Sequence, residues 1–127
     1  MKSAARVYQD GPFVMVDIKN DTQVDMALEL SIYRQRLALY KRHQQRKQLA
    51  IYVGRIQGLD FNASRYACGK DFAEITEAKV LVLQNGLNRT FANMMLKLNQ
   101  PQFPVYICDS VKQAQHLLME KHPPEPL

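Results

Sequence analysis

The sequence predicts an α/β domain: a single mixed, mainly parallel sheet of about five strands with helices packed on it and a β-hairpin at its N-terminal end. Three observations lead there. Strand-like runs alternate with helical stretches along most of the chain, the pattern that builds parallel sheets. The run Lys79-Val80-Leu81-Val82-Leu83 is almost continuously apolar, as in a central strand covered on both faces. Near the start, Asp10-Gly11-Pro12 separates two short runs rich in β-formers, a strong turn signal.

The elements follow in order. Ala5–Gln9 and Phe13–Ile18 are the two strands of the hairpin. Asn20-Asp21-Thr22 supplies N-cap residues, and no Gly or Pro interrupts the chain from there to Gln48. Val24, Ala27, Leu28, Ser31, Ile32, Gln35 and Leu39 share one helical face, widened by Leu30, Leu37 and Tyr40, while Asp25, Glu29, Arg34 and Arg36 fall elsewhere. A helix of about six turns is expected. Leu49–Val53 reads as a buried strand ended by Gly54, and Arg55–Ala63 as a loop with a helix start. The next helix, to about Ile75, turns Ala63, Tyr66, Ala67 and Phe72 inward. After the strand Lys79–Leu83, Asn85-Gly86-Leu87-Asn88 turns the chain into a helix over Arg89–Leu98. Asn99 suits a left-handed helix end, and Pro101 prevents continuation. Pro104 precedes the last strand, Val105–Cys108, and Asp109-Ser110 caps a helix to about Glu120 with Val111, Ala114, Leu117 and Leu118 inward. One domain over residues 1–121 results, with residues 122–127, opened by His122-Pro123, as a flexible tail.

Bulk properties narrow the function. At 127 residues the chain buries one core without needing disulfides or metal. No apolar run approaches the roughly 20 residues of a membrane span, and the N-terminus lacks a signal-peptide core, so a cytoplasmic protein is expected. Cys68 and Cys108 have no metal-ligand spacing and read as reduced thiols. The net charge of +5 suits an acidic partner, nucleic acid included. Much of the excess lies in Arg34, Arg36, Lys41, Arg42, Arg46 and Lys47, along what reads as the exposed part of a long helix. Cations toward a helix C-terminus also complement its dipole, which weakens the nucleic-acid reading.

Catalytic arrangements are sparse. His43, His116 and His122 lie on separate elements and read as solvated, and there is no phosphate loop; no metal or cofactor is expected. Asp60, Asp71, Glu74 and Glu77 gather around the second helix, where acid–base work would require one of them in a cleft with a raised pKa. Met94-Met95 reads as core packing. Ligands approach the C-terminal ends of strands in such sheets, which would assemble Gly54-Arg55, Asp60–Arg65, Gln84-Asn85-Gly86 and Asp109-Ser110. Arg65 and Arg89, near helix starts, suit an anion. The candidate ligand- or partner-binding residues are Asp60, Ser64, Arg65, Asn85, Arg89 and Asn93.

Several spaced residues carry a family resemblance. They are Thr22–Ala27, Ser64-Arg65, Glu77–Leu83, Asn88-Arg89-Thr90-Phe91-Ala92-Asn93, Asn99-Gln100-Pro101, Phe103-Pro104-Val105 and the Ala114/Leu118 helix. Together they resemble a family of small bacterial STAS-like proteins, related in fold to anti-anti-sigma factors and to the STAS domains of anion transporters. The resemblance implies a non-enzymatic, cytoplasmic regulatory module that binds a protein partner, self-associates as a homodimer, or holds a small apolar or anionic ligand. It departs at one place. Anti-anti-sigma factors carry an Asp-Ser-Ser/Thr-Gly phosphoacceptor loop where this chain has Asp60-Phe61-Asn62-Ala63-Ser64-Arg65, so Ser64 reads as a cap or first-turn residue.

Two other classes stay open. A small enzyme or an anion- or lipid-binding protein would use the strand edge, with Asp60, Arg65 and Arg89 first, and requires a concave pocket holding a carboxyl of raised pKa. A nucleic-acid binder would use Arg34–Lys47.

Overall fold

In the computed structural model, which describes residues 4–123, the chain turns at Gly11 (φ 56°) between strands β1 (Ala5–Asp10) and β2 (Phe13–Ile18), the expected hairpin. Asn20-Asp21-Thr22 does not start a helix. Asp21 sits at φ 64°, and the chain runs into a three-residue strand, β3 (Thr22–Val24). Helix α1 (Met26–Arg42) begins one turn later, where the Asp25 carboxylate accepts from the Leu28 N–H at 2.9 Å. It ends short of Gln48 because Gln44 and Gln45 adopt φ 62° and 57°, turning the chain toward strand β4 (Gln48–Val53).

The segment read as a loop holds strand β5 (Ile56–Leu59), which pairs parallel with β3 as a small second sheet. One expected helix is two, α2 (Phe61–Ala67) and α3 (Lys70–Ile75), broken at Cys68-Gly69. Strand β6 (Thr76–Val82), helix α4 (Gly86–Leu98), strand β7 (Val105–Cys108) and helix α5 (Val111–Lys121) complete the chain. The main sheet has the order β1-β2-β4-β6-β7, antiparallel only at the hairpin.

Alternation along the strands sorts two apolar layers. Val16, Ala50 and Tyr52 meet Leu28 and Ile32 of α1 and Phe72 and Ile75 of α3. On the opposite face Met15, Ile51 and Val80 meet Ala114 and Leu118 of α5. β6 is thus covered on both sides, as its apolar run predicts. Of the expected tail, residues 124–127 lie outside the described residues. His122 is not solvated: it closes α5, its ring 2.9 Å from the Tyr106 hydroxyl and 3.8 Å from Glu77 Oε1.

Candidate functional site

Glu29, Ile32 and Arg36 are spaced three and four residues apart, which places them on one face of α1. That face points into the protein. Glu29 is 3% exposed and Arg36 0%, so the reading that put both on the solvent side is corrected. The neighbouring cations Arg34, Lys41, Arg42, Arg46 and Lys47 are exposed as expected, leaving the basic stripe short of Arg36.

The two buried charges have different surroundings. Arg36 Nε donates to Gln48 Oε1 at 2.8 Å, Nη1 to the Tyr52 hydroxyl at 3.1 Å and Nη2 to Thr76 Oγ1 at 2.6 Å. The Gln48 amide in turn donates to the Arg36 carbonyl at 2.9 Å, and the Phe72 ring lies 5.4 Å from the guanidinium. Arg36 therefore ties α1 to β4 and β6 through neutral acceptors. Glu29, two turns earlier, has an oxygen, Oε1, with no hydrogen-bond partner. Burial pushes its carboxyl above the ordinary range, opposed by the charges of Lys79 and Arg36.

Lys79 leads the apolar run of β6 and is 7% exposed. Its ammonium stands 4.2 Å from the centre of the Tyr52 ring, and no hydrogen-bond acceptor or ion-pair partner among the described residues meets its N–H groups. Glu29 and Lys79 line one cavity of ≈ 80 Å³. Tyr52, Lys79, Leu81 and Leu83 form its floor on the sheet; Ser64, Ala67 and Cys68 form a wall, Val24, Ile56 and Leu59 a rim, and Ala92, Met95 and Leu96 of α4 a cover. It sits toward the C-terminal ends of β4 and β6, the edge where ligands of open α/β sheets bind. Cys68, whose backbone N–H donates to the Ser64 carbonyl at 3.1 Å, has its thiol pushed up by burial. Gly54 also borders the cavity, at φ 137°, where a Cβ would stand 2.1 Å from the Ile18 carbonyl oxygen; only glycine fits.

Polar side chains hold the cover. Asn85 caps α4 by accepting from the Leu87 and Asn88 N–H groups at 2.8 and 3.3 Å. Asn88 accepts from the Ile56 N–H at 3.1 Å and donates to the Ile56 carbonyl at 3.2 Å, joining α4 to β5. Arg89 pairs with Asp109 beyond the end of β7. Asn99 ends α4 at φ −121° rather than in the left-handed region, and its amide reaches the Phe61 carbonyl at 3.4 Å.

Of the six residues singled out from sequence, Ser64 alone lines this cavity. Asp60 is exposed and accepts from Gln23 at 3.0 Å. Arg65 lies in the last turn of α2, exposed, 5.9 Å from the Phe61 ring centre. Asn85 and Arg89 serve the cap and the ion pair, and Asn93 is exposed on the outer side of α4. Glu29, Lys79 and Cys68 were missed. Lys79 carried a signal, a charge joined to a run otherwise fit for a central strand; Glu29 carried one only through its spacing with Ile32. Among the described residues no cluster of His, Cys, Asp and Glu could hold a metal ion, and no helix is long and apolar enough to cross a membrane.

Comparison with known proteins agrees with this architecture. The profile of a family described as "Domain of unknown function (DUF7793)" matches residues 7–121. The crystal structure of an uncharacterised protein of the DUF3478 family from Shewanella loihica PV-4, described as having a SpoIIAA-like fold, superposes with a TM-score of 0.56. The alignment covers 91% of this chain and 92% of the other at 10% identity, a likeness of fold. No curated protein sequence matches the chain.

Proposed function

We propose that this chain, which belongs to the DUF7793 family, is a non-enzymatic STAS-like module that binds a small ligand beneath α4 and communicates with a protein partner. The observation that carries the reading is the cavity at the strand ends, lined mainly by apolar side chains together with Glu29, a buried carboxyl whose Oε1 has no partner. Buried polar groups are almost always bonded, and an unmet one on a residue that lines a cavity fits a missing occupant. The SpoIIAA-like fold supports a regulatory role in the cytoplasm, as the sequence resemblance implies.

The outer side of α4 supports the partner half of the proposal. Leu87, Met94 and Leu98 are 81%, 47% and 61% exposed, and their spacing sets them along one stripe. Asp60, Arg65 and Asn93, exposed on α2 and α4 or beside them, are the polar residues proposed to meet a partner or a second copy.

An enzyme has one observation in its favour, the raised pKa of Glu29 inside a pocket. Asp60, Arg65 and Arg89, the residues first suspected, lie outside that pocket, and binding accounts for the cavity without a reaction.

The test is a titration of the ¹⁵N-labelled chain with 1-butanol and benzene as apolar probes, followed by amide NMR. Binding should shift Leu81, Ala92 and Met95, and Ala92→Phe, which fills the cavity, should abolish the shifts. If neither probe moves these amides, the ligand-binding reading fails.

A further inference from the structure

The cavity has a charge imbalance that specifies more than an apolar occupant. Three side chains of the acidic and basic types are buried around it or next to it: Arg36, Lys79 and Glu29. Each of the three Arg36 nitrogens donates to a neutral oxygen, and no anion stands against the guanidinium in direct contact. Glu29 and Lys79 both line the cavity, yet no ion pair joins them. The site therefore holds two cations against one carboxyl, and burial favours the neutral form of that carboxyl. A protonated Glu29 donates a hydrogen bond, and the Lys79 ammonium has donors to spare. Both open positions thus ask for an acceptor, and the charge count asks for a negative one.

We propose that the cavity binds a short-chain carboxylic acid, its carboxylate seated between the Lys79 ammonium and Glu29 and its hydrocarbon against Leu59, Leu81 and Met95. The carboxylate brings one negative charge to a buried site with excess positive charge, where the pairing is stronger than in water. Size sets the chain length. A water needs about 10–15 Å³ of such space, so ≈ 80 Å³ seats a few carbons, and the rest of a long acyl chain must lie outside it or displace α4. An amine head group is disfavoured by Lys79, and an alcohol leaves the excess positive charge uncompensated.

This inference rests on the ligand-binding reading, and the experiment separates the two. Binding of butyrate, 1-butanol, butylamine and octanoate to the intact chain is measured by NMR titration at one pH and ionic strength. Butyrate should bind at least about 10-fold more tightly than 1-butanol, butylamine should not bind in the cavity, and octanoate should be weaker than butyrate. Lys79→Met keeps the aliphatic stem and should abolish the preference for butyrate over 1-butanol. Equal affinities for butyrate and 1-butanol in the wild type would overturn the carboxylate assignment and leave the apolar site standing. Tighter binding of octanoate than of butyrate would overturn the short-chain assignment. Absence of binding by every probe would overturn both readings. The wild-type series needs no variant to fold, so an unfolded Lys79→Met protein does not rescue the proposal.

Discussion

Arg36 and the Glu29–Lys79 pair lie on the same side of the sheet, are buried to nearly the same degree, and have opposite bonding states. Around Arg36, the guanidinium's donors meet Gln48, Tyr52 and Thr76, and one acceptor returns a bond to the helix backbone. Glu29 and Lys79 both line the cavity; among the described residues Glu29 Oε1 has no hydrogen-bond partner, and the ammonium meets the face of the Tyr52 ring but no acceptor. Burial alone does not tell these regions apart. Bonding capacity left over does: a charge whose every nitrogen has an acceptor is part of the fold, and one with an atom unmet beside a cavity waits for something to bind.

The widest test of that contrast is Arg36→Ala. It empties a fully buried volume and strips Gln48, Tyr52 and Thr76 of a shared partner at once. A loss of about 3–5 kcal/mol is expected from the cavity and the stranded polar groups, read as a drop in the urea midpoint. A loss below about 1 kcal/mol would mean that the network is dispensable and the contrast false.

Glu29→Gln should act in the opposite direction. The groups facing Glu29 are Lys79 from β6, Arg36 from its own helix, and Cys68 and Tyr66 from α2 and its end. Its folded-state pKa is raised above the ordinary 4.5, so below that value both folded and unfolded states carry the proton and there is no penalty. As pH climbs above it, the unfolded chain releases its proton first, and stability falls until the folded carboxyl also titrates. The variant removes this decline. It should gain about 1–2 kcal/mol near pH 7 and nothing near pH 4, measured by urea unfolding across that range. A variant less stable than wild type at neutral pH would show that Glu29 has a partner in the fold after all.

Tyr52 belongs to both regions, its hydroxyl accepting from Arg36 and its ring lying under Lys79. Tyr52→Phe separates them with the smallest change. It should cost about 1 kcal/mol by leaving one Arg36 donor unmet, and it should leave the affinity for butyrate within about 2-fold because the ring remains. A larger effect on binding than on stability would mean that the hydroxyl works in the cavity.

How far this was legible in the sequence follows from the same physics. The hairpin, β4, β6, β7 and α5 were visible because turn residues and unbroken apolar runs are local signals. β3 and β5 were not, since strands of three and four residues that pair mainly with each other leave no periodicity to find. The site was largely hidden. Charged residues are so seldom buried that Glu29 and Arg36 read as solvent-facing. What reverses that reading for Arg36 lies up to 40 residues away, at Thr76. For Glu29 it is an absence of partners, which only the folded arrangement reveals. Ser64 was reached because it belongs to the segment leaving the strand edge, where ligands gather in this class of sheet.

Two carboxamides end strands in a way that bears on how chains could meet. Gln35 of α1 accepts from the Val7 N–H at 3.2 Å and donates to the Ala5 carbonyl at 3.3 Å; Asn88 does the same for both backbone groups of Ile56. Each amide behaves like the peptide group of a neighbouring strand that is not there. β1 and β5 are thereby partly covered against a further strand, whereas at β7, the other border of the main sheet, carboxamides meet only Asp109 just past its end, Gln113 accepting from its N–H and Gln84 donating to its carbonyl. The two borders of the main sheet thus differ in how their backbone groups are met, and an edge strand with unmet backbone groups is the usual template for pairing with another strand.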